Sequence, residues 1–135
     1  MAPKSSGPCG LDFLDRPAEV VSEPDIAEAS AVESNLALDV SSVSSEPVRV
    51  TVRFDGKVAL DIRLAATPAE CADSPVYSHE FRLPGDAVQV TVTTDTGQRR
   101  SMTVPLDGPK HWVVVSPQDG FPLELRAFPH EVSWG

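Results

Sequence analysis

The stretch VRVTVRFDGKVALDIRL, Val48 to Leu64, decides the fold class, because two runs of alternating apolar residues flank the pair Asp55-Gly56. Period-two alternation sends successive side chains to opposite faces of a sheet, and Asp-Gly between two such runs signals a hairpin. If Asp55 and Gly56 alone form the loop, Phe54 pairs with Lys57, and Val52, Val50 and Val48 then face Ala59, Asp61 and Arg63. That register puts charges among the valines. If the loop is instead Phe54, Asp55 and Gly56, with Gly56 in the left-handed conformation that glycine adopts cheaply, Arg53 pairs with Lys57. Val52, Val50 and Val48 then meet Val58, Leu60 and Ile62, while Thr51 meets Ala59 and Arg49 meets Asp61 on the other face. The three-residue loop keeps one face apolar and is the expected one.

A second hairpin, AVQVTVTTDTGQRRSMTVPL, reads the same way. A loop of Asp95, Thr96 and Gly97 pairs Val90 with Met102 and Val88 with Val104, and places Arg100 opposite Val92. The opposite face carries Gln89, Thr91, Thr93, Arg99, Ser101 and Thr103, a Thr-rich polar surface.

Around these hairpins, Leu36, Leu38 and Val40 alternate as a short first strand. A helix over Asp25 to Leu38 competes, but Glu33 interrupts its apolar stripe. VYSHEFRL places Tyr77, His79, Phe81 and Leu83 on one side, and KHWVVVS, apolar on both faces, suits a central strand with Trp112 in the core. FPLELRAF supplies Phe121, Leu123 and Leu125 as a last strand. Seven to eight strands divided by Gly and Pro signals predict an all-β, antiparallel sandwich over residues 35–135. The layout resembles immunoglobulin-like or fibronectin type III-like sandwiches over about residues 35 to 128, at the level of the fold. The core cysteine pair with an intervening tryptophan, and the tyrosine corner, are missing from it, because Cys9 precedes the strands and Tyr77 comes too early.

Residues 1–34 are Ser-, Glu- and Ala-rich and read as an acidic, largely irregular leader or tether. Up to Pro47 the chain holds nine carboxylates against Lys4 and Arg16, and this segment supplies most of the formal net charge of −9. Such a balance argues against a nucleic-acid partner, which needs clustered Lys and Arg. No stretch reaches the length of apolar residues that spans a membrane. The compartment divides two ways: cytoplasmic if Met1 is the native start, cell envelope or secreted if a signal peptide was removed. Cys9 and Cys71 match no metal-ligand spacing and are either a disulfide pinning leader to domain or two separate thiols.

His79, His111 and His130 are the candidates for metal ligation or general-base work, yet no HExxH occurs, and His79 and Glu80 point to opposite faces of a strand. Neither GxSxG nor a phosphate-cradling glycine loop is present, so no catalytic, metal or cofactor-binding residue is assigned. The expected role is a non-enzymatic module that binds a protein or polymer partner, with Thr91, Thr93, Arg99, Ser101, Thr103 and Trp134 as its candidate contacts. Two alternatives stand beside it: a small His-based metal protein or enzyme, and a structural accessory that acts or self-associates through a sheet edge.

Overall fold

Strand pairing in the computed structural model, which describes residues 19–42, 46–65, 76–118 and 122–129, builds two sheets that share one core. In chain order the strands are β1 (Glu19–Val20), β2 (Leu36–Val40), β3 (Val48–Phe54), β4 (Lys57–Leu64), β5 (Tyr77–Phe81), β6 (Ala87–Thr94), β7 (Arg99–Pro105), β8 (His111–Ser116) and β9 (Glu124–Phe128). The larger sheet has the order β1-β4-β3-β6-β7 and the smaller β5-β2-β8-β9. The chain is all-β, as its alternation predicts. Among the described residues there is no helix long and apolar enough to cross a membrane. Cys9, Cys71, Phe121, His130 and Trp134 lie outside the described residues.

The core forms where the inward positions of both sheets meet. Val48, Val50, Val52 and Phe54 of β3 and Val88, Val90 and Val92 of β6 pack against Leu36, Leu38, Val40, Phe81, Val113 and Val115. Phe54 and Phe81 meet edge to face, with ring centroids 5.1 Å apart. The doubly apolar run in β8 sits at the centre of its sheet, between β2 and β9. Trp112 is only half-buried, because Val113 and Val115 occupy the inward positions and leave its ring under Lys110, with Nζ 5.0 Å from the centroid. One pair departs from the antiparallel expectation: β2 and β8 run parallel. The long chain between them supplies the crossover that parallel pairing requires.

Register is where sequence and structure differ most. The second hairpin forms as read, with Val90 opposite Met102, Val88 opposite Val104 and Arg100 opposite Val92. The first does not use the three-residue loop. Phe54 pairs with Lys57 and Arg53 with Val58, so the turn is Asp55-Gly56, both with positive φ, at 52° and 87°. This is the conformation a two-residue hairpin turn favours. An irregularity after Val52 then gives β4 one extra residue, and Val52, Val50 and Val48 oppose Leu60, Ile62 and Leu64. The bulge restores what the tight turn would have spoiled: from Leu60 onward the apolar side chains of β4 return to the core face.

Of the leader, residues 19–34 are described, and they lie along the open side of the sandwich. Val20 pairs with Ile62, Val21 donates its N–H to the Asp61 carbonyl, and Asp25 donates to the Val58 carbonyl while its carboxylate accepts the Val58 N–H. The chain then crosses to the other sheet, where Ala29 and Asn35 donate to the carbonyls of Glu80 and Phe81. Ile26 packs on the core. Residues 19–35 therefore act as a strap over the edges of β4 and β5, which bears on the tether expected up to residue 34. In limited proteolysis followed by mass spectrometry, the resistant core is expected to begin no later than Glu19. A core beginning near Asn35 would show that the strap opens independently of the sheets.

Candidate functional site

The outward positions of the larger sheet bring together five of the six candidate contact residues. The β6–β7 register sets Thr93 beside Arg99 and Thr91 beside Ser101, with Gln89 beside Thr103. Arg99, Ser101 and Thr103 are exposed, and Thr91 and Thr93 are half-buried between neighbouring strands. Trp134 falls outside the described residues.

Pairing of β3 with β6 extends this surface in a way the local sequence does not announce. Thr51 lies beside Thr93 and Arg53 beside Thr91, while Arg63 of β4 lies beside Arg49 of β3. One face of one sheet thus carries Arg49, Arg53, Arg63 and Arg99 around a Thr and Ser centre. The signal for these additions was the polar half of the alternation in RVTVRF, but its meaning depends on β3 joining β6.

The four arginines are not equivalent. Arg49 forms a two-pronged ion pair with Asp61, Nε to Oδ1 at 2.9 Å and Nη2 to Oδ2 at 2.7 Å. Ser22 of the strap donates to Asp61 Oδ2 at 2.6 Å, and Thr51 to Oδ1 at 3.3 Å. The Arg49 hydrogen bonds, against the opposing effect of burial, hold the Asp61 carboxyl down at about 2, with Ser22 adding to them. Arg49 is in turn pushed above its ordinary value, chiefly by the same hydrogen bonds. Arg63 reaches Glu19 at 3.4 Å, an exposed pair of little energetic weight. Arg53 and Arg99 make no ion pair among the described residues, so their charge is available to solvent or to a partner.

The histidines do not converge. His79 on β5 and His111 on β8 lie on either side of β2, beside Leu38 and Leu36 respectively. His79 Nδ1 is 3.1 Å from Glu28 Oε2, and its Nε2 is buried with no hydrogen-bond partner among the described residues. His111 Nδ1 is 3.1 Å from the Pro109 carbonyl. Glu80 points the other way from His79, as strand geometry requires, and takes Lys110 Nζ at 2.7 Å and Ser34 Oγ at 2.5 Å. Burial alone would raise the Glu80 carboxyl, but these donors outweigh it and hold it below the usual range. No cluster of three or more potential ligands exists among the described residues.

Comparison with family models, with curated proteins and with solved structures yields no match to this chain.

Proposed function

We propose that the chain is a non-enzymatic binding module of the immunoglobulin-like or fibronectin type III-like kind, which recognises an acidic segment of a protein partner on the outer face of its larger sheet. The observation that carries this reading is the pair Arg53 and Arg99. They flank Thr91, Thr93 and Ser101 and make no ion pair among the described residues, on a chain whose net charge is −9. Two unpaired arginines on one face of an acidic protein help to orient an acidic partner during encounter. The hydroxyls between the arginines supply donors and acceptors to the partner's backbone.

The fold-level part of the reading draws on strand order. The run β4-β3-β6-β7 corresponds to the order C′-C-F-G of such domains, and the neighbours β2 and β5 to B and E. The parallel β8 beside β2 is a departure from that plan.

The test uses labelled poly-glutamate as the probe, with binding read by fluorescence anisotropy at about 50 mM salt. Arg53→Glu combined with Arg99→Glu is expected to weaken binding about tenfold or more, and salt to weaken the unaltered chain similarly. Arg126→Glu, on the other sheet, serves as control and is expected to change little. Undiminished binding by the double variant would overturn the proposal.

A further inference from the structure

The sandwich closes its two open sides differently. On one, the strap bonds to the free backbone of β4 and β5. On the other, β7 is the last strand of its sheet, and nothing described pairs with it beyond β6. Thr94 donates its N–H to the Gln98 carbonyl and Leu106 donates to Asp86, which fixes the phase of the ladder. Val92 and Arg100, Val90 and Met102, and Val88 and Val104 are then the hydrogen-bonded pairs. The N–H and carbonyl groups of Arg99, Ser101 and Thr103 consequently point away from the sheet, and all three residues are exposed. Beneath this edge a hollow of about 320 Å³ opens between β7 and β9, lined in part by Arg100, Glu124, Leu125 and Arg126.

We propose that the β7 edge accepts, as an added strand, the segment Leu11–Asp15 of a second copy of this chain. An open edge with aligned donors and acceptors is a template for strand addition. The segment LDFLD is the one group of large apolar residues in the 18 residues ahead of Glu19, and Asp15 complements the charge of Arg100, whose guanidinium also donates to the Leu123 carbonyl at 3.1 Å. In the antiparallel orientation that sets Asp15 beside Arg100, Phe13 falls beside Met102 and Leu11 beside Val104, so the apolar side chains cover the seam above the hollow. The like-charged neighbours Arg16 and Arg99 then meet at the exposed end of the strand, where water screens them. The strap shows the same chemistry at the far edge, where Glu19 sits beside Arg63.

The occupant must come from another copy. β1 and β7 are four strands apart in their sheet, about 19 Å at the usual spacing of strands. Asp15 is only four residues from Glu19, a reach of at most about 14 Å. Two copies that exchange these segments reciprocally form a closed two-fold dimer. This inference uses the backbone edge and goes beyond the reading of the Arg and Thr face. Arg53 lies two strands in from that edge, so Arg53→Glu leaves the dimer intact whether or not the face binds an acidic partner.

Sedimentation velocity on the full chain over a concentration series tests it. The unaltered chain is expected to dimerise, and Phe13→Asp and Ser101→Pro each to remain monomeric. Proline at an outward-facing edge position removes a donor the fold does not use, and circular dichroism checks that the sheets persist. Arg100→Glu is the second edge variant should Ser101→Pro fail to fold. An equimolar mixture of Phe13→Asp with the edge variant is expected to form a one-to-one dimer, weaker than the original, because one chain still offers the strand and the other the edge. A chain monomeric at every concentration overturns the proposal, as does a mixture that stays monomeric. A dimer indifferent to Phe13→Asp also overturns it, since that outcome describes β7 pairing with itself.

Discussion

Phe54→Ala is expected to destabilise the protein by about 3–5 kcal/mol in urea unfolding, within the range for truncating a buried aromatic residue. Phe54 is 2% exposed, and its ring meets Phe81 at an interplanar angle of 89°, one ring from each sheet. Truncation removes the buried area, opens a cavity between the sheets and deletes an edge-to-face contact worth about 0.5–1.5 kcal/mol beyond area. The surrounding positions are strand residues held by ladders on both sides, so the cavity has little means to collapse. The three-residue loop read from sequence forecasts the reverse, because it places Phe54 at the first loop position, where its loss would cost under about 1 kcal/mol. A small measured loss would therefore restore the loop that the structure replaces.

That contrast shows what was legible and what was not. Strands β3, β4, β6 and β7 were readable because one face of each is buried and the other wet, which writes period two directly into the chain. The second hairpin was readable to the residue because its loop and its apolar pairing agree. The first hairpin was not, since a bulge uncouples the turn from the register: Asp55-Gly56 makes the tight turn that its residue types favour, and the extra residue in β4 lets the apolar pairs match anyway. Choosing between turn types on apolar pairing alone assumes a ladder without irregularities. The faces of β3 and of β4 from Leu60 onward survived the error, because the observed register differs from the expected one by two residues and period two is blind to that shift.

Non-local pairing was the other gap. Nothing in RVTVRF says that its polar positions will lie beside Thr91 and Thr93, so three of the four arginines of this face join it only through the pairing of β3 with β6 and with β4. Trp112 was misplaced for a related reason. In a strand apolar on both faces, alternation cannot say which set points inward, and the choice fell to Val113 and Val115.

Asp61→Asn is expected to cost about 2 kcal/mol at pH 7, the middle of the range for hydrogen bonds to a charged group, and progressively less as the solution is acidified. The carboxylate belongs to a residue only 4% exposed and receives Arg49, Ser22 and Thr51, a set of donors that favours its charged form. Its folded value of about 2 lies below the 3.8 of an ordinary aspartate, so the native state releases this proton more readily than the unfolded chain does. The resulting stability is fully present above the unfolded value and fades as the pH falls through the folded one. The gap between the unaltered chain and the Asp61→Asn variant should therefore narrow between about pH 5 and pH 2. Arg49 is partly exposed, with 42% of its side chain open to solvent, and screening there keeps the expected cost from reaching the upper end for a charge-assisted cluster. Thermal or urea unfolding at several pH values measures the gap directly. Because Ser22 belongs to the strap and Arg49 to the outer face, the same carboxylate fastens one to the other, and the Asp61→Asn substitution should also shift the first proteolytic cut toward Asn35. A gap that stays constant with pH would mean that Asp61 contributes packing alone, and the arginine face would then lack the anchor that orients Arg49.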